Sequence, residues 1–436
     1  MLGACSTLDH AGDVDAVVIG IGQLGLCFAL TLEHAGLSVI GVDSREQYVA
    51  QLQDHTYETK EPGVTDLLRH AKRFEATTNM TAAVKRSKLI FILVPTPTSG
   101  NSENYYDHGI LSSVLVSLNR LRLQDKHVVI NSTVMPGYCR NVAQLLLRDC
   151  ERTTVNYNPA FVAQGDILDG YIKGGWFGMV LVGSSDSTVT ELLESIYRLI
   201  AGESSCESVV GVGDGARRLN VCTMSPESAE ICKLASNCFR TTKISFANMV
   251  GDVADGSPGA NKHDICHALG LDASIGPLCM RPGYGYGGPC YPRDNRAFGV
   301  YAQSVGVKAT ISMATDEYNE LHHDYMAALL LKEGRDEYVF EDVGYKPGIK
   351  VPMIDHSPKL AIAKRLAKKG KRIIIRDRSD LVIEVMKEYG STFTYEILDT
   401  SSPGGTETSR CETPPHERVE QLQRAKYDRP DVAGVY

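Results

Sequence analysis

Ala16-Val17-Val18-Ile19-Gly20-Ile21-Gly22-Gln23-Leu24-Gly25 is the stretch whose reading decides the fold. Four apolar residues in a row suit a strand covered on both faces, as in a parallel sheet. The glycines follow in a Gly-x-Gly-x-x-Gly spacing, and a run compatible with a helix continues to His34. Gly20 makes the turn, Gly22 lets a pyrophosphate approach the backbone, and Gly25 lets the helix pack on the strand. Leu37-Ser38-Val39-Ile40-Gly41-Val42 reads as the second strand, and Asp43 stands at its end, 18 residues after Gly25. A carboxylate there can hold both ribose hydroxyls and repels a 2′-phosphate, so the unit calls for NAD rather than NADP. The expected cofactor contacts are therefore Gly20, Ile21, Gly22, Gln23, Leu24, Gly25 and Asp43. The fold class is α/β, opening with a Rossmann-type dinucleotide-binding domain.

Working outward, Leu89-Ile90-Phe91-Ile92-Leu93-Val94 and His127-Val128-Val129-Ile130-Asn131 read as further strands of the same sheet. They end at Pro95-Thr96-Pro97 and Ser132-Thr133. Polar residues at the carboxyl ends of such strands line the ligand crevice, although Thr96 or Thr133 alone would serve equally well as a loop cap. The segment from Met224 to about Val253 reads as one long helix, with Ser225 as N-cap and Pro226 in the first turn. Glu230, Lys233, Asn237 and Ile244 recur on it at helical spacing, which puts Lys233 and Asn237 on one face. Such a helix more often serves packing, and a lone lysine on it is ordinarily solvated. After about residue 330 a second α/β pattern begins. Tyr338-Val339-Phe340 is a strand, Gly344 to Gly348 a loop, Ser357-Pro358 caps a helix from Lys359 to Lys369, and Arg372-Ile373-Ile374-Ile375 is a strand ending at Asp377. The expected organisation is an N-terminal extension (1–14), an NAD-binding domain (15–213) and a central helical region (214–328). A shortened C-terminal α/β domain (329–400) and a disordered tail (401–436) complete it, since the Ser/Thr/Pro/Gly/Glu-rich tail lacks the apolar surface to order itself.

The 436 residues are 43% hydrophobic and 22% charged, as in an ordinary soluble globular protein. A net charge of −8 argues against nucleic acid or an anionic membrane as a main partner. No apolar run reaches membrane-spanning length, and the N-terminus lacks the basic and apolar regions of a signal peptide. The 12 cysteines are scattered without any Cys-x-x-Cys, so they read as reduced thiols of a cytoplasmic protein. No metal-ligand spacing appears.

One cysteine stands apart. Pro282-Gly283-Tyr284-Gly285-Tyr286-Gly287-Gly288-Pro289-Cys290-Tyr291-Pro292-Arg293-Asp294 sets a thiol directly after alternating glycines, with a carboxylate four residues on. Glycines allow positive φ and close backbone approach, so this loop can wrap a ligand and present Cys290 to it. A thiol held so is a candidate nucleophile toward a carbonyl carbon. The bland alternative is a Gly-rich turn with an incidental cysteine.

Together these segments resemble the nucleotide-sugar 6-dehydrogenases, the family of UDP-glucose, UDP-N-acetylmannosamine and GDP-mannose dehydrogenases. The resemblance runs from about residue 15 to 380. Besides the glycine fingerprint it is carried by Glu61-Pro62-Gly63, Val94-Pro95-Thr96-Pro97, Ser132-Thr133-Val134, Asn158-Pro159, Ser225-Pro226-Glu227-Ser228-Ala229-Glu230, Lys233, Asn237, Lys243-Ile244-Ser245-Phe246-Ala247-Asn248 and the Cys290 loop. It implies a homodimer that oxidises the C6 alcohol of an NDP-sugar, a UDP-sugar for preference, to a uronate with two NAD. By the same resemblance Asp294 and Lys233 take the alcohol proton through a water, and Cys290 captures the aldehyde. Lys233 and Asn237 stabilise the oxyanion, and Thr133 orders the hydrolytic water beside the nicotinamide. Thr96, Thr133 and Arg293 join the cofactor contacts. Phe161, Tyr284, Gly287 and Lys346 join Lys233 and Asn237 on the substrate.

The chain also departs from the family pattern. Ala160 and Gln164 stand where glutamates are usual, Ser274 and Asp355 where arginines are usual, and Arg293 replaces a lysine. Thiohemiacetal formation and hydride transfer keep their residues, whereas thioester hydrolysis loses its usual base. Two alternatives follow: a related oxidoreductase with incomplete oxidation or an altered substrate, and a non-catalytic NAD or nucleotide-sugar binding protein.

Overall fold

The structure is a computed structural model and describes residues 13–99, 105–172, 178–202 and 220–398. The expected tail (401–436) and all but two residues of the expected N-terminal extension lie outside the described residues. The chain divides into two compact units. One runs to Ala235 and includes Val300–Val305; the other comprises Ser236–Gly299 and the chain from Gly306 onward.

The first unit is built on an eight-stranded sheet. Its strands are β1 (Ala16–Ile19), β2 (Val39–Val42), β3 (Phe74–Thr77), β4 (Leu89–Ile92), β5 (His127–Ile130), β6 (Thr154–Tyr157), β7 (Met179–Gly183) and β8 (Asn220–Met224). They lie in the order β3-β2-β1-β4-β5-β6-β7-β8. Every pairing is parallel except that between β6 and β7. All four residues of β1 are buried, as its unbroken apolar run requires. Val18, Phe28, Leu30 and Phe91 fill one face of the sheet, while Val17, Ile19, Ile90 and Leu115 fill the other. Phe28 and Phe91 meet edge to face with ring centroids 5.0 Å apart. The strand order reverses between β1 and β4, and ligands of such sheets bind beyond the carboxyl ends of the strands at that point.

Two glycines make the turn after β1 possible. Gly20 has φ 90°, and a Cβ on it would overlap the Leu93 carbonyl oxygen. A Cβ on Gly25, in the helix Gln23–His34, would overlap the carbonyl oxygen of Gly20. Two expected boundaries shift. The strand read as far as Val94 ends at Ile92, because the Val94 amide turns to the Ser132 hydroxyl at 3.0 Å. The long helix begins at Pro226 instead of Met224, because Met224 closes β8 opposite Gly183.

The second unit contains most of the long helix Pro226–Asp255, the helix Thr310–Lys332 and a small parallel sheet. That sheet has β9 (Glu337–Phe340), β10 (Arg372–Asp377) and β11 (Thr394–Ile397), in the order β11-β10-β9. Tyr338, Phe340, Leu360, Ile373, Ile375, Leu381 and Val385 form its core. Ser357 caps the helix Pro358–Lys368 by accepting the Leu360 amide at 3.3 Å, with Pro358 opening the first turn.

The contact between Gly25 and Gly20 gives a direct test. Gly25→Ala must push helix and strand apart, an overpacking that costs about 1–3 kcal/mol. Thermal denaturation is expected to show a Tm lower by about 4–10 °C. A Tm within a degree of the parent would mean that this approach does not set the geometry.

Candidate active site

In the first unit the helix Gln23–His34 starts at Gly22 with no side chain accepting its first amides and no acid in its first turn. Nothing lies within 4 Å of where a Gly22 Cβ would sit. Uncapped amides, the positive end of a helix and open space over the backbone together fit a pyrophosphate. The turn is braced from both sides. Tyr48 Oη donates to the Ile21 carbonyl at 2.7 Å, and Gln23 Nε2 donates to Glu61 Oε2 at 3.1 Å. Glu61, only 2% exposed, also accepts the Gly165 and Ile167 amides at 2.9 and 2.8 Å, which caps the helix Ile167–Ile172.

Asp43 lies at the end of β2 as expected, paired in bidentate fashion with Arg45 at 2.8 and 3.0 Å. Burial raises its pKa, but the hydrogen bonds and charge of Arg45 outweigh that and hold the carboxyl below its ordinary range. The Arg45 pairing goes beyond the expected contacts, although a guanidinium two residues past an acid is a readable signal.

Thr96 and Thr133 come together at the ends of β4 and β5, the Thr96 hydroxyl donating to the Thr133 carbonyl at 2.7 Å. Further along, the same two loops line a cavity of about 460 Å³ in which His108 stacks on Tyr138 at 4.4 Å. Burial pushes the His108 pKa down to about 4. None of the expected site residues lines this cavity.

Beyond β6, Asn158 is held in a buried network. It donates to the Leu181 carbonyl at 2.7 Å, accepts the Tyr197 hydroxyl at 2.5 Å, and its carbonyl accepts Asn131 Nδ2 at 2.6 Å. Two residues on, the Ala160 carbonyl accepts Lys233 Nζ at 2.8 Å, and the same ammonium lies 4.3 Å from the centre of the Phe161 ring. Lys233 is 6% exposed, so it is not the solvated lysine of the bland reading. Glu230, one turn earlier, is fully buried and accepts the Gly137 and Cys139 amides at 2.5 and 2.8 Å. Burial raises its pKa, and the two amides oppose that rise.

In the second unit the Cys290 loop is pinned through its backbone. The Gly283 amide donates to Asn248 at 2.7 Å, and the Gly283 carbonyl accepts His322 Nε2 at 2.6 Å. Asn319 holds both the amide and the carbonyl of Tyr286, at 2.9 and 3.1 Å. Gly288 has φ 81°, and a Cβ on it would strike the Tyr345 ring; a Cβ on Gly287 would overlap the His356 carbonyl oxygen. Gly287 is thus a close-packing position. Of the other expected substrate contacts, Tyr284 lies under the Lys359 ammonium at 5.1 Å, and Lys346 lies 5.9 Å from the Tyr345 ring centre.

Cys290 is partly exposed and directly precedes the helix Tyr291–Ser304. Asp294, in the first turn of that helix, is 1% exposed. Its Oδ2 accepts Asn237 Nδ2 at 2.8 Å, and its Oδ1 accepts Arg293 Nε at 3.4 Å. Side-chain bonds thus join Asn237, Asp294 and Arg293, the Asp294 amide donates to the Cys290 carbonyl at 2.8 Å, and Arg293, expected on the cofactor, is paired with Asp294. Cys238 donates from Sγ to the Asp294 carbonyl at 3.7 Å, and burial pushes its pKa up to about 12, which disfavours its thiolate.

Residues 14–201 match the NAD binding domain, and residues 227–321 the central domain, of the UDP-glucose/GDP-mannose dehydrogenase family. The chain belongs to that family. GDP-mannose 6-dehydrogenase of Pseudomonas aeruginosa is 26% identical over 394 residues, covering 87% of this chain and 84% of the relative. UDP-glucose 6-dehydrogenase of Rickettsia bellii is 26% identical over 364 residues, covering 81% and 78%. Among solved structures, a UDP-glucose dehydrogenase from Pyrobaculum islandicum superposes with a TM-score of 0.76 at 25% identity, over 88% of this chain and 85% of that one. As a UDP-glucose/GDP-mannose dehydrogenase family member, the chain uses NAD, and its glycine turn is the feature that fits the cofactor. Among the described residues no helix is long and apolar enough to cross a membrane.

Gly22→Ala separates cofactor binding from folding. With open space above Gly22 the Tm is expected to stay within about 1 °C, while calorimetry shows NAD affinity lowered tenfold or more, on the order of 1.4 kcal/mol. An unchanged affinity would mean that the pyrophosphate does not approach Gly22.

Proposed function

We propose that this chain oxidises the C6 primary alcohol of an NDP-sugar, a UDP-sugar in the first instance, to a uronate through a covalent adduct on Cys290. The observation that carries the reading is the cluster around the thiol. Cys290 precedes a helix whose positive end favours a negative sulfur or oxyanion, and Asp294 is fixed one turn on by Asn237. We further read the cofactor site in residues 15–213, the central region in 214–328 and the nucleotide-sugar grip in 329–400, in a cytoplasmic homodimer.

Bound NAD supplies the hydride acceptor for each of the two oxidations. The alcohol loses its proton to Asp294, with Lys233 assisting through a water. Cys290 then adds to the aldehyde, giving a thiohemiacetal and sparing the cell a free aldehyde. The Lys233 ammonium and the Asn237 amide, on one face of the long helix, stabilise the oxyanion. After loss of the second hydride the adduct is a thioester, and a water ordered by Thr133 releases the carboxylate and restores the thiol.

Ala160 favours a second reading at the last step. Its methyl group can neither order nor deprotonate that water, and loss of a positioned base costs on the order of a hundred- to ten-thousand-fold. Thioester hydrolysis then limits turnover, and the adduct accumulates with both oxidations already complete.

Absorbance at 340 nm with a panel of UDP- and GDP-sugars separates these outcomes. Two NADH per sugar supports full oxidation, one supports a related oxidoreductase that stops at the aldehyde level, and a burst of two per enzyme followed by a slow phase supports slow hydrolysis. Cys290→Ser is expected to lower kcat by about a thousandfold or more. Intact-mass spectrometry of the wild type in turnover should show a sugar thioester on Cys290 if hydrolysis is slow. Folded protein that binds NAD yet reduces none with any sugar would sink the proposal and favour a non-catalytic binder.

A further inference from the structure

Asn237 is held at both ends. Its Nδ2 donates to Asp294 Oδ2 at 2.8 Å, and its Oδ1 accepts Arg240 Nη1 at 3.0 Å. The same Nη1 reaches the Ser236 hydroxyl at 3.2 Å, which steadies the guanidinium over the Asn237 turn. Arg240 follows Asn237 by three residues on the long helix, where side chains at this spacing are neighbours. Asn237 is 4% exposed and has no other hydrogen-bond partner among the described residues, so one Nδ2 hydrogen is left over.

An amide that bonds only through its nitrogen can swing about its terminal torsion, which is broad. One bonded at oxygen and nitrogen together is fixed in plane, and the remaining hydrogen is fixed with it. A cation on the oxygen also polarises the amide and makes its N–H groups better donors. A second observation brings Arg240 to the start of the thiol-bearing helix. Burial raises the pKa values of Cys279 and Tyr291, and in both cases Arg240 is the first group to oppose the rise. Tyr291 is the residue next to Cys290.

We propose that Arg240 is a positioning residue for the candidate site, acting through Asn237 to aim the free Nδ2 hydrogen at the reacting sugar oxygen. This rests on the proposed role of Asn237 as an oxyanion donor. The resulting order is Arg240, Asn237, Asp294, Arg293: a cation, an amide, a carboxylate and a cation, each hydrogen-bonded to the next.

The test uses the full-length chain with Arg240→Met, which keeps an unbranched stem without donors, and Arg240→Lys, which keeps a donor. With the best NDP-sugar, Arg240→Met is expected to lower kcat about tenfold to a hundredfold, with KM for the sugar changed less than about twofold. Arg240→Lys recovers most of that loss. In an Asn237→Ala background, Arg240→Met changes kcat less than about twofold, because its target is gone. Equal losses in both backgrounds, or an unaltered kcat, would overturn the proposal. A crystal structure of Arg240→Met supplies a readout independent of turnover: the Asn237 carboxamide turns and its contact with Asp294 opens beyond about 3.5 Å. A carboxamide that keeps its place overturns the positioning role. An inactive wild type would refute the proposed function alone, and the crystallographic result still decides the role of Arg240.

Discussion

A carboxylate taken out of water must be paired, and such groups tie together distant segments within each unit, Glu61 and Glu230 in the first and Asp294 in the second. Glu230 is fully buried, Asp294 is 1% exposed and Glu61 is 2% exposed. An unpaired ion in such places costs several kcal/mol, so each acid recruits donors from segments far along the chain. Glu61 joins the dinucleotide turn at Gln23 to the loop at Gly165 and Ile167. Glu230 joins the long helix to the segment after β5 at Gly137 and Cys139. Asp294 joins the thiol helix to the long helix at Asn237. Remove any one of these acids and the two segments it joins lose their common reference.

The Cys290 loop shows the complementary device. Its glycines offer no side chains for packing, so its backbone groups are satisfied by side chains from elsewhere. Asn248, His322 and Asn319 bond Gly283 and Tyr286, and Asp252 in turn holds His322 Nδ1 at 2.9 Å. The thiol thus stands on a helix start whose approach is fixed by donors and acceptors on two long helices. Chemistry placed on rigid elements in this way needs little reorganisation.

Much of the fold was legible in the sequence because its signals are local. The run Ala16–Ile19, the glycine spacing and Asp43 lie within thirty residues, and each has one physical meaning in that order. Ser357-Pro358 announced its helix for the same reason. The antiparallel junction of β6 and β7 was not legible, since nothing in either strand states which neighbour it takes or in which direction. The site followed the same division. Cys290, Lys233 and Asn237 stood out by loop composition or helical spacing, whereas Glu61 carried no sign that its partners lie more than a hundred residues away. Gly287 stands among the expected ligand contacts, and the His356 backbone independently requires a glycine there. Arg240 is not legible at all, because a single arginine on a helix is indistinguishable from a surface charge until its acceptor is seen.

The seat of Lys233 has an evolutionary consequence. Its ammonium rests on the carbonyl oxygen of Ala160 and the ring of Phe161, and so takes nothing from the side chain at position 160. A backbone oxygen is present whatever residue is encoded there. The side chain at this position can therefore change in a single substitution without removing that acceptor. The seat of the lysine and the chemistry of the side chain at 160 are set independently of each other.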